Sequence, residues 1–463
     1  MMSLPESMIL DRNCESLGIP VSTLMDNAGA ALFDVVSKEF AGKKILIVCG
    51  TGNNGGDGFA CAKRFGRRAD VALLFPSDKI KTDAAKRQFD LLRKRPMLFA
   101  DVSVNEYDVI VDCALGTGVR APLDEVYIKY SKVLKEFKGT IVSADVPTGF
   151  GTDDHLIPDI TITFHDVKEN MNEMNCGRII VADIGIPDDA SRVVGPGDML
   201  RYPVPKKDSH KGDNGRLLVI GGGPYIGAPA MAAMAALRVG SDIVRIAAPR
   251  SSFDHIASMT PTFIMHRTSD DILTENDVPY LLELSDKVDA VLIGPGLGTD
   301  ERTMTAVRKF MNACERPMTA DADGITAISS LSRIPDNVII TPHRKEFETF
   351  SGECNGDRIA EISEERNVTI LLKGSVDKIA QNKNIRLNRT GTPAMTVGGT
   401  GDVLSGIVAG LLSKGMNTFN AACLGAFICG SAGEKAFSEK SYGMIATDVI
   451  DMIPEVLKDH LKG

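Results

Sequence analysis

The chain has 463 residues, of which 43% are hydrophobic, and a formal net charge of −9 from 52 basic and 61 acidic residues. This length predicts two large domains or about three ordinary ones. The acidic balance argues against nucleic acid or an anionic membrane as a partner, because both need a basic surface. The sequence shows no signal-peptide pattern and no apolar stretch of about 18 uncharged residues, so we expect a cytoplasmic protein. We also expect a homo-oligomer that acts on small molecules. The nine cysteines are expected to be buried thiols.

Two helical patterns open the chain, near Ser7–Leu17 and Val21–Phe40. Short apolar runs then alternate with amphipathic stretches, and most of these runs are bounded by Gly, Asp or Pro. This pattern is typical of buried parallel strands joined by helices, so we predict an α/β sheet with crossovers on both faces. The predicted strands are Lys44–Cys49, Val71–Phe75, Val109–Cys113, Thr140–Ala144, Ile160–Phe164 and Ile179–Ala182.

The polar, proline-bearing segment Arg201–His210 interrupts this alternation, and we place a domain boundary between Pro203 and Val204. The predicted domains are therefore residues 1–203 and 204–463. A second α/β series follows and ends in mostly helical sequence from Thr400. Its predicted strands are Leu217–Ile220, Ile243–Ala247, Ala290–Ile293, Met318–Ala320, Val338–Ile340 and Thr369–Leu372.

A glycine-rich segment, Gly50–Gly58, follows the first predicted strand and precedes a helix predicted from Phe59. It satisfies GxGxxG, but the second predicted strand ends without the acidic residue that holds a cofactor ribose, which argues against an ordinary NAD cofactor. Glycines permit positive φ and close backbone approach, and a helix start offers N–H groups to an anion. We therefore expect this segment to bind a ligand, with side-chain oxygens from Asn53, Asn54 and Asp57.

Two further strand ends carry polar residues. Asp112 ends one strand and is followed by Gly116-Thr117-Gly118, and Asp145 follows the next strand with Thr148 shortly after. Ligands of open α/β sheets bind beyond the carboxyl ends of the strands. One such Asp is often only a loop cap, but three polar strand ends together predict a single binding crevice.

These motifs, with Met25–Gly29, resemble the NAD(P)H-hydrate epimerase domain, which has a Rossmann-like αβα fold, over roughly residues 1–200. The resemblance implies Asp145 as a catalytic residue and a potassium ion held by Asn54, Asp112 and Thr148. The family usually has Ser at the position of Thr148, which keeps the hydroxyl. It also has a Lys-Pro-Gly where this chain has Lys168-Glu169-Asn170, so a role for Lys168 in epimerisation stays open. The implied substrate contacts are Asn53, Asn54, Gly55, Gly56, Asp57, Gly116, Thr117, Gly118, Val119, Arg120 and Asp145.

The strongest local signal in the C-terminal half is Gly398–Asp402, which leads into an apolar helix predicted over Val403–Leu412. An acid in a first turn stabilises a helix by only about 0.3–1 kcal/mol, and the preceding glycines add nothing to such a cap. Backbone N–H groups at this point bind anions, and a neighbouring carboxylate can take a proton from an attacking hydroxyl. Lys373-Gly374, at a strand end, lets an ammonium reach a phosphate.

Three other segments lie at strand ends or helix starts. The Gly221–Gly223 loop precedes a helix predicted over Ala228–Gly240, and Gly294–Gly298 follows another strand. His343 and Glu346 are three residues apart at a helix start and therefore share one face. We expect His343 to contact the substrate, and Glu346 to contact a phosphate or a metal-bound water.

These residues, with Lys211-Gly212-Asp213 and Thr341-Pro342, resemble the ADP- or ATP-dependent NAD(P)H-hydrate dehydratases of the ribokinase-like αβα fold, from about Lys206 onward. The resemblance implies Asp402 as the catalytic base and a requirement for Mg²⁺. The family usually has Thr at the position of Asp377. A carboxylate there repels phosphate unless a metal or a hydrogen bond offsets the repulsion, so the choice between ADP and ATP as co-substrate stays open. The implied substrate contacts are Ala228, Gly298, His343 and Asp402, and the implied nucleotide contacts are Lys373, Gly374, Ser375, Val376, Asp377 and Gly401.

The sequence thus predicts a bifunctional repair enzyme, in which one domain epimerises R and S hydrates of NADH or NADPH and the other dehydrates the S form through C6 phosphorylation. Two alternatives stay open. The C-terminal half is compatible with a ribokinase-like kinase of a vitamin-type alcohol, although His343 and the N-terminal half then have no explanation. The N-terminal half is compatible with a non-catalytic ligand-binding or interaction module, against which the polar strand ends argue.

Overall fold

The computed structural model describes residues 4–118, 122–331, 333–352 and 357–461, and it divides into two compact units, Met1–Ala190 and Ser191–Gly463. The division lies upstream of the boundary predicted after Pro203. Residues in between belong to the second unit, where Val193 bridges to Leu387 and the Asp198 carboxylate accepts hydrogen bonds of 2.8 and 3.0 Å from the Arg386 guanidinium. Among the described residues, no helix has both the length and the apolar character needed to cross a bilayer.

The first unit contains one sheet whose described strands are all parallel, in the order β3-β2-β1-β4-β5-β6-β7. The strand order reverses between β1 and β4, which opens a crevice at their carboxyl ends. The strands are β1 (Ile45–Cys49), β2 (Ala69–Leu73), β3 (Met97–Leu98), β4 (Val109–Cys113), β5 (Thr140–Ala144), β6 (Ile160–Phe164) and β7 (Arg178–Ala182). The helices are α1 (Leu4–Ser16), α2 (Val21–Glu39), α3 (Asn53–Phe65), α4 (Asp83–Asp90), α5 (Glu125–Lys135), α6 (Glu173–Cys176) and α7 (Asp188–Arg192), which runs into the second unit.

The predicted α/β sheet is confirmed, but two details differ. Helix α3 begins at Asn53 and not at Phe59, so most of the glycine-rich segment forms the first turns of a helix. The short strand β3 was not predicted, since two residues are too few to show an alternation.

The second unit contains a sheet of order β10-β9-β8-β11-β12-β13-β14-β15-β16, which is parallel from β10 to β14 and antiparallel from β14 to β16. Its strands are β8 (Arg216–Ile220), β9 (Ile243–Ala248), β10 (Ile264–Arg267), β11 (Ala290–Ile293), β12 (Met318–Ala320), β13 (Val338–Ile340), β14 (Thr369–Leu372), β15 (Asp377–Gln381) and β16 (Asn384–Asn388). Its helices are α8 (Gly227–Arg238), α9 (Arg250–Ala257), α10 (Val278–Ser285), α11 (Glu301–Ala313), α12 (Asp323–Ile328), α13 (Arg344–Ser351), α14 (Ile359–Arg366), α15 (Thr400–Ser413), α16 (Thr418–Lys440) and α17 (Ala446–His460).

Three strands of this sheet, β10, β15 and β16, were missed by the sequence analysis. Each carries charged or amide residues between its apolar positions and lies at or near an edge, where only part of the strand is buried. Edge strands give a weaker periodic signal than buried parallel ones. The antiparallel hairpin of β15 and β16 therefore differs from the predicted all-parallel pattern.

Helix α15 is buried against the sheet and α8, and this packing fixes the position of its N-terminus. A Cβ on Gly406 would lie 2.1 Å from the carbonyl oxygen of Ala232, and one on Gly410 would lie 3.1 Å from the Cα of Ala236. Small residues on both helices are therefore required for this close approach. The first turn of α15, which carries Asp402, is held by a rigid core.

Candidate active sites

A cavity of about 340 Å³ lies in the first unit, at the carboxyl ends of β1, β4 and β5. The predicted residues that line it are Asn53, Asn54, Asp57, Gly116, Thr117, Gly118 and Asp145. Gly55 and Gly56 are buried in the first turns of α3 and do not line it. Val119 and Arg120 lie outside the described residues. The predicted convergence of three strand ends is thus present in the structure.

The glycines of this segment serve close packing. None of the five glycines from Gly50 to Gly58 has a positive φ, so the conformational freedom expected there is not used. A Cβ on Gly50 would lie 1.8 Å from the Ala114 carbonyl oxygen, and one on Gly55 would lie 2.2 Å from the Gly50 carbonyl oxygen. Helix α3 can therefore begin directly against the ends of β1 and β4, which brings Asn54 and Asp57 to the cavity.

Asp145 is held by a buried ion pair. The Lys168 side chain is 1% exposed, and its Nζ donates to Asp145 Oδ1 at 2.5 Å, to Thr163 Oγ1 at 3.0 Å and to the Phe164 carbonyl oxygen at 2.8 Å. All three donors of the ammonium are thus used. Asp145 itself has a φ of 61°, a strained conformation for a non-glycine residue that is typical of functional sites.

Two other carboxyl groups share this electrostatic environment. Burial, followed by the negative charges of Asp145 and Asp11, raises the pKa of Asp57 well above its usual range. Burial and Asp145 raise the pKa of Asp11 to about 6, against the opposing effect of Lys168. Asp11, on α1, was missed, because no local pattern shows that this helix lies over the crevice.

The three residues predicted to hold potassium offer oxygen ligands. Asp112 is fully buried and accepts hydrogen bonds from the Thr148 hydroxyl at 2.7 Å, the Ser143 hydroxyl at 2.9 Å and the Tyr130 hydroxyl at 3.1 Å. Burial nevertheless raises its pKa. Asn54 is 9% exposed, and both the oxygen and the nitrogen of its side-chain amide lack a hydrogen-bond partner among the described residues. An unpaired buried amide is costly unless a ligand satisfies it.

In the second unit, a cavity of about 450 Å³ is lined by Lys373, Gly374, Ser375, Asp377 and Gly401 of the predicted nucleotide set. Both Asp377 oxygens are engaged, one by the Gly374 N–H at 3.0 Å and one by the Asn388 amide at 3.0 Å. Burial raises the pKa of Asp377, which favours its neutral form. These hydrogen bonds and this shift offset the repulsion of phosphate that a free carboxylate would cause at this point. Sequence reasoning missed Thr390–Pro393, Met395 and Cys429, which also line the cavity.

Asp402 lies in the first turn of α15, next to a partly buried ion pair. Lys373 Nζ donates to Asp321 Oδ1 at 3.1 Å, and it lies 3.3 Å from where a Cβ of Gly401 would be. Burial, Asp321 and Glu346 raise the pKa of Asp402 to about 7, while Lys373 lowers it. Burial alone would lower the pKa of Lys373, but Asp321, Glu346 and Asp402 together raise it. The site thus combines a firmly charged lysine with a carboxyl group that titrates near neutral pH.

The Asp321-Ala322-Asp323 turn was overlooked, although it follows the buried strand β12. Asp321 accepts from the Thr341 hydroxyl at 2.8 Å as well as from Lys373, and Asp323 accepts from the Gly298 N–H at 2.7 Å. Ala322 has a φ of 47°, which is rare for a residue with a side chain. The strand-end rule that singled out Asp112 and Asp145 also applies here and would have found Asp321.

His343 and Glu346 form a capping box at the start of α13. The Glu346 N–H donates to His343 Nδ1 at 3.1 Å, and the His343 N–H donates to Glu346 Oε2 at 2.8 Å. The shared helix face is therefore present, and it also has a structural role. The His343 side chain is 56% exposed. None of the four predicted substrate contacts lines the 450 Å³ cavity; these are Ala228, Gly298, His343 and Asp402.

Replacement of Gly399 by Ala is expected to destabilise the second unit by about 1–3 kcal/mol and to lower its activity. Gly399 caps α15 with a φ of 97°, and a Cβ there would lie 2.6 Å from Met231 Sδ. Gly398→Ala is the matched control, because Gly398 has no positive φ and no atom within 4 Å of its Cβ position. Denaturant unfolding compares them, and equal unfolding midpoints would contradict this role of Gly399.

Two family models match the chain. One described as YjeF-related protein N-terminus matches residues 21–170, and one described as NAD(P)H-hydrate dehydratase matches residues 217–455. Among solved structures, the ADP/ATP-dependent NAD(P)H-hydrate dehydratase from Bacillus subtilis, co-crystallised with ATP/Mg²⁺, has a TM-score of 0.50 and 26% identity over 58% of this chain and 98% of that one. A ribokinase-like superfamily protein from Enterococcus faecalis, with a TM-score of 0.52 and 22% identity over 58% of this chain and 96% of that one, confirms the expected fold of the second unit.

A relative that spans both units connects the two matches. The bifunctional NAD(P)H-hydrate repair enzyme Nnr of Methanothermobacter thermautotrophicus is 38% identical to this chain, and the alignment covers 98% of this chain and 94% of that protein. The similarity to this relative therefore extends over both units. Each unit contains one of the two family-model matches and one of the two cavities. The chain belongs to the family of bifunctional NAD(P)H-hydrate repair enzymes.

Proposed function

We propose that the second unit dehydrates the S hydrate of NADH or NADPH at the expense of ADP or ATP, and that the first unit interconverts the R and S hydrates. The observation that carries this proposal is the position of Asp402. Its carboxyl group stands in the first turn of α15, beside Lys373, with a pKa of about 7. A group that titrates near the working pH is suited to act as a general base.

The dehydration has two steps. Asp402 takes the proton of the C6 hydroxyl while that oxygen attacks the terminal phosphoryl group, and the bond to the nucleotide leaving oxygen breaks. Phosphate then leaves C6 with its bonding electrons, a proton is lost from C5, and the ring double bond is restored. Lys373 and the N–H groups at the start of α15 stabilise the charge on the transferred group. Phosphate leaves far more readily than hydroxide, which explains the use of a nucleotide.

The residues near Asp402 could contact a magnesium ion only through a water bound to that ion. No cluster of three acidic, histidine or cysteine ligands is present in the described parts of the chain. Glu346 Oε2 accepts from the His343 N–H, and Oε1 lies 3.6 Å from His343 Nε2, beyond hydrogen-bond length, so Oε1 can accept a hydrogen bond from a metal-bound water. Magnesium usually keeps several waters and binds mainly through substrate phosphates, where it neutralises charge during transfer.

For the epimerisation, Asp145 is the carboxylate that Lys168 keeps in place at the cavity. Epimerisation at C6 requires the hydroxyl to leave as water and water to return on the other face. The ring nitrogen donates electrons to C6 in between, which leaves a cation. Carboxylates around a cavity favour such a cation electrostatically, and Asn53, Asn54 and Gly116–Gly118 border the same space.

Potassium fits the first unit through Asn54, Asp112 and Thr148. The unpaired amide oxygen of Asn54 is the supporting observation, since this buried group has no partner among the described residues. Amide, carboxylate and hydroxyl oxygens suit a hard cation. A bound potassium ion would supply positive charge beside these three residues. The predicted cytoplasmic location and homo-oligomeric state remain predictions.

The proposal predicts a pH dependence of dehydration. Asp402 acts as a base only when ionised, so kcat/KM is expected to rise with pH through about 7 and then to level off. Asp321, Lys373 and Glu346 face Asp402, and Glu346 raises its pKa. Glu346→Gln is therefore expected to move the rising limb to lower pH. A profile that is flat between about pH 6 and 8 in both proteins would contradict Asp402 as the base.

The direct test incubates the purified protein with hydrated NADH and either ADP or ATP. Formation of NADH, followed by its near-ultraviolet absorbance, supports the repair function, and the faster nucleotide identifies the co-substrate. A stable phosphorylated alcohol would instead support a small-molecule kinase. Conversion of the pure R hydrate to the S hydrate without nucleotide tests the first unit separately, and its absence would support a non-catalytic module.

A further inference from the structure

The cavity of the first unit has a wall formed by α1, which none of the sequence motifs includes. Ser7, Met8 and Asp11 of this helix line the cavity together with the strand-end loops, from which they are distant in sequence. Within the described part of the chain, the Asp11 carboxyl group makes no hydrogen bond or ion pair with another side chain. Asp145, in contrast, is fixed by Lys168 at 2.5 Å. Of the three carboxyl groups that line the cavity, Asp145 is restrained by this ion pair, whereas Asp11 and Asp57 have no such pair among the described residues.

A second observation points to a ligand in this space. Asn54 lines the same cavity, is 9% exposed, and has no partner among the described residues for either polar atom of its side chain. The buried Lys168 ammonium, which pairs with Asp145, already uses all its donors. The Asn54 amide is therefore available to a bound molecule, whereas the Tyr127 hydroxyl of the same cavity already shares a hydrogen bond with the Thr51 side chain.

We propose that Asp11 is a further proton-transferring residue of the epimerisation, acting from the α1 wall of the cavity. This inference rests on the epimerase function proposed above. Epimerisation requires one group to protonate the leaving C6 hydroxyl and another to take a proton from water entering on the other face. Asp11 donates its proton as the C6–O bond breaks, the ring nitrogen supplies electrons to C6, and Asp145 accepts a proton from the entering water. The two carboxyl groups exchange roles in the reverse direction.

The charges around Asp11 are consistent with this role. The titratable groups that face it are Asp57 of α3, Asp145 after β5, Lys168 after β6 and Cys14 of its own helix. Lys81 and Tyr127 also line the cavity. Burial and the charges of Asp145 and Asp11 raise the pKa of Asp57 well above its usual range, whereas the pKa of Asp11, at about 6, lets that group exchange a proton near neutral pH.

The test uses the full chain without nucleotide, so that only epimerisation proceeds, and separates the R and S hydrates of NADH by chromatography. Asp11→Asn is expected to slow interconversion by at least about 10²-fold and to remove the limb of the pH profile near 6. Asp11→Glu, which retains the carboxyl group, is expected to recover part of the rate. Nucleotide-dependent dehydration of the S hydrate should be unchanged in both variants. Glu15→Gln, an exposed position on the same helix, is the matched control.

A stability measurement separates catalysis from structure. Because the folded-state pKa of Asp11 is above its ordinary 3.8, folding is disfavoured as pH rises from 3.8 toward about 6 and stays so above it. Asp11→Asn removes this penalty, so its Tm at about pH 8 should equal or exceed that of the unsubstituted protein.

The inference would be overturned by interconversion within about threefold of the unsubstituted protein, or by a rate loss shared by Glu15→Gln. A lower Tm for Asp11→Asn with the pH limb retained would also overturn it, since Asp11 would then be structural. If the unsubstituted protein dehydrates the S hydrate but never interconverts the epimers, the epimerase function fails instead, and that outcome is distinguishable from the others.

Discussion

Asp402→Asn is expected to reduce nucleotide-dependent formation of NADH by about 10²–10⁴-fold while epimerisation continues at the unsubstituted rate. The amide keeps the shape of the side chain but cannot accept the hydroxyl proton. The residue is half-buried in a turn held by the packing of α15, so the fold has little reason to change. Rates of both reactions in the same preparation measure the effect.

The matched control for this variant is Asp270→Asn, an exposed aspartate of the same unit. It should leave both rates unchanged. Loss of epimerisation together with dehydration in Asp402→Asn would contradict independent active sites. Retention of dehydration within about tenfold would contradict Asp402 as the base.

Lys168→Met is expected to abolish epimerisation and to destabilise the first unit by about 3–5 kcal/mol at neutral pH. Met has a similar length but cannot pair with Asp145, which would leave a largely buried carboxylate without its partner beside Asp11 and Asp57. Removal of one member of a buried ion pair destabilises the folded state more than removal of both. Denaturant unfolding and the chromatographic epimer assay measure the two effects.

The double variant Lys168→Met/Asp145→Asn provides the control for this prediction. It should recover most of the lost stability, because no unpaired charge remains, but no epimerisation. Recovery of activity in the double variant would show that the ion pair only supports the fold. A single variant that unfolds like the unsubstituted protein would contradict a buried pair.

Several of the residues that the sequence indicated follow from local rules, whereas others, such as Thr148 as a potassium ligand, came only from the family resemblance. Asp112 and Asp145 were predicted because they end buried strands, and parallel strands in one sheet bring their carboxyl ends to the same edge. Asp402 was predicted because glycines precede an acid at a helix start. The structure brings Asp145 to the cavity of the first unit and Asp402 beside Lys373.

The residues that were missed depend on tertiary packing or on an incomplete application of these rules. Asp11 reaches the cavity only because α1 lies over the crevice, and no periodicity encodes that placement. Asp321 ends β12 and was accessible to the strand-end rule. The role of the Gly50–Gly58 glycines was misjudged, because close approach and positive φ give the same sequence pattern, and only coordinates show that no φ there is positive.

The most direct test of the central claim follows the oxygen at C6. The S hydrate of NADH is prepared with ¹⁸O in its hydroxyl and converted with ATP or ADP by the purified protein, and the released inorganic phosphate is analysed by mass spectrometry. If the hydroxyl beside Asp402 attacks the phosphoryl group, each phosphate carries one ¹⁸O atom for each NADH formed. Unlabelled phosphate, with the ¹⁸O found in water, would contradict phosphorylation of this hydroxyl.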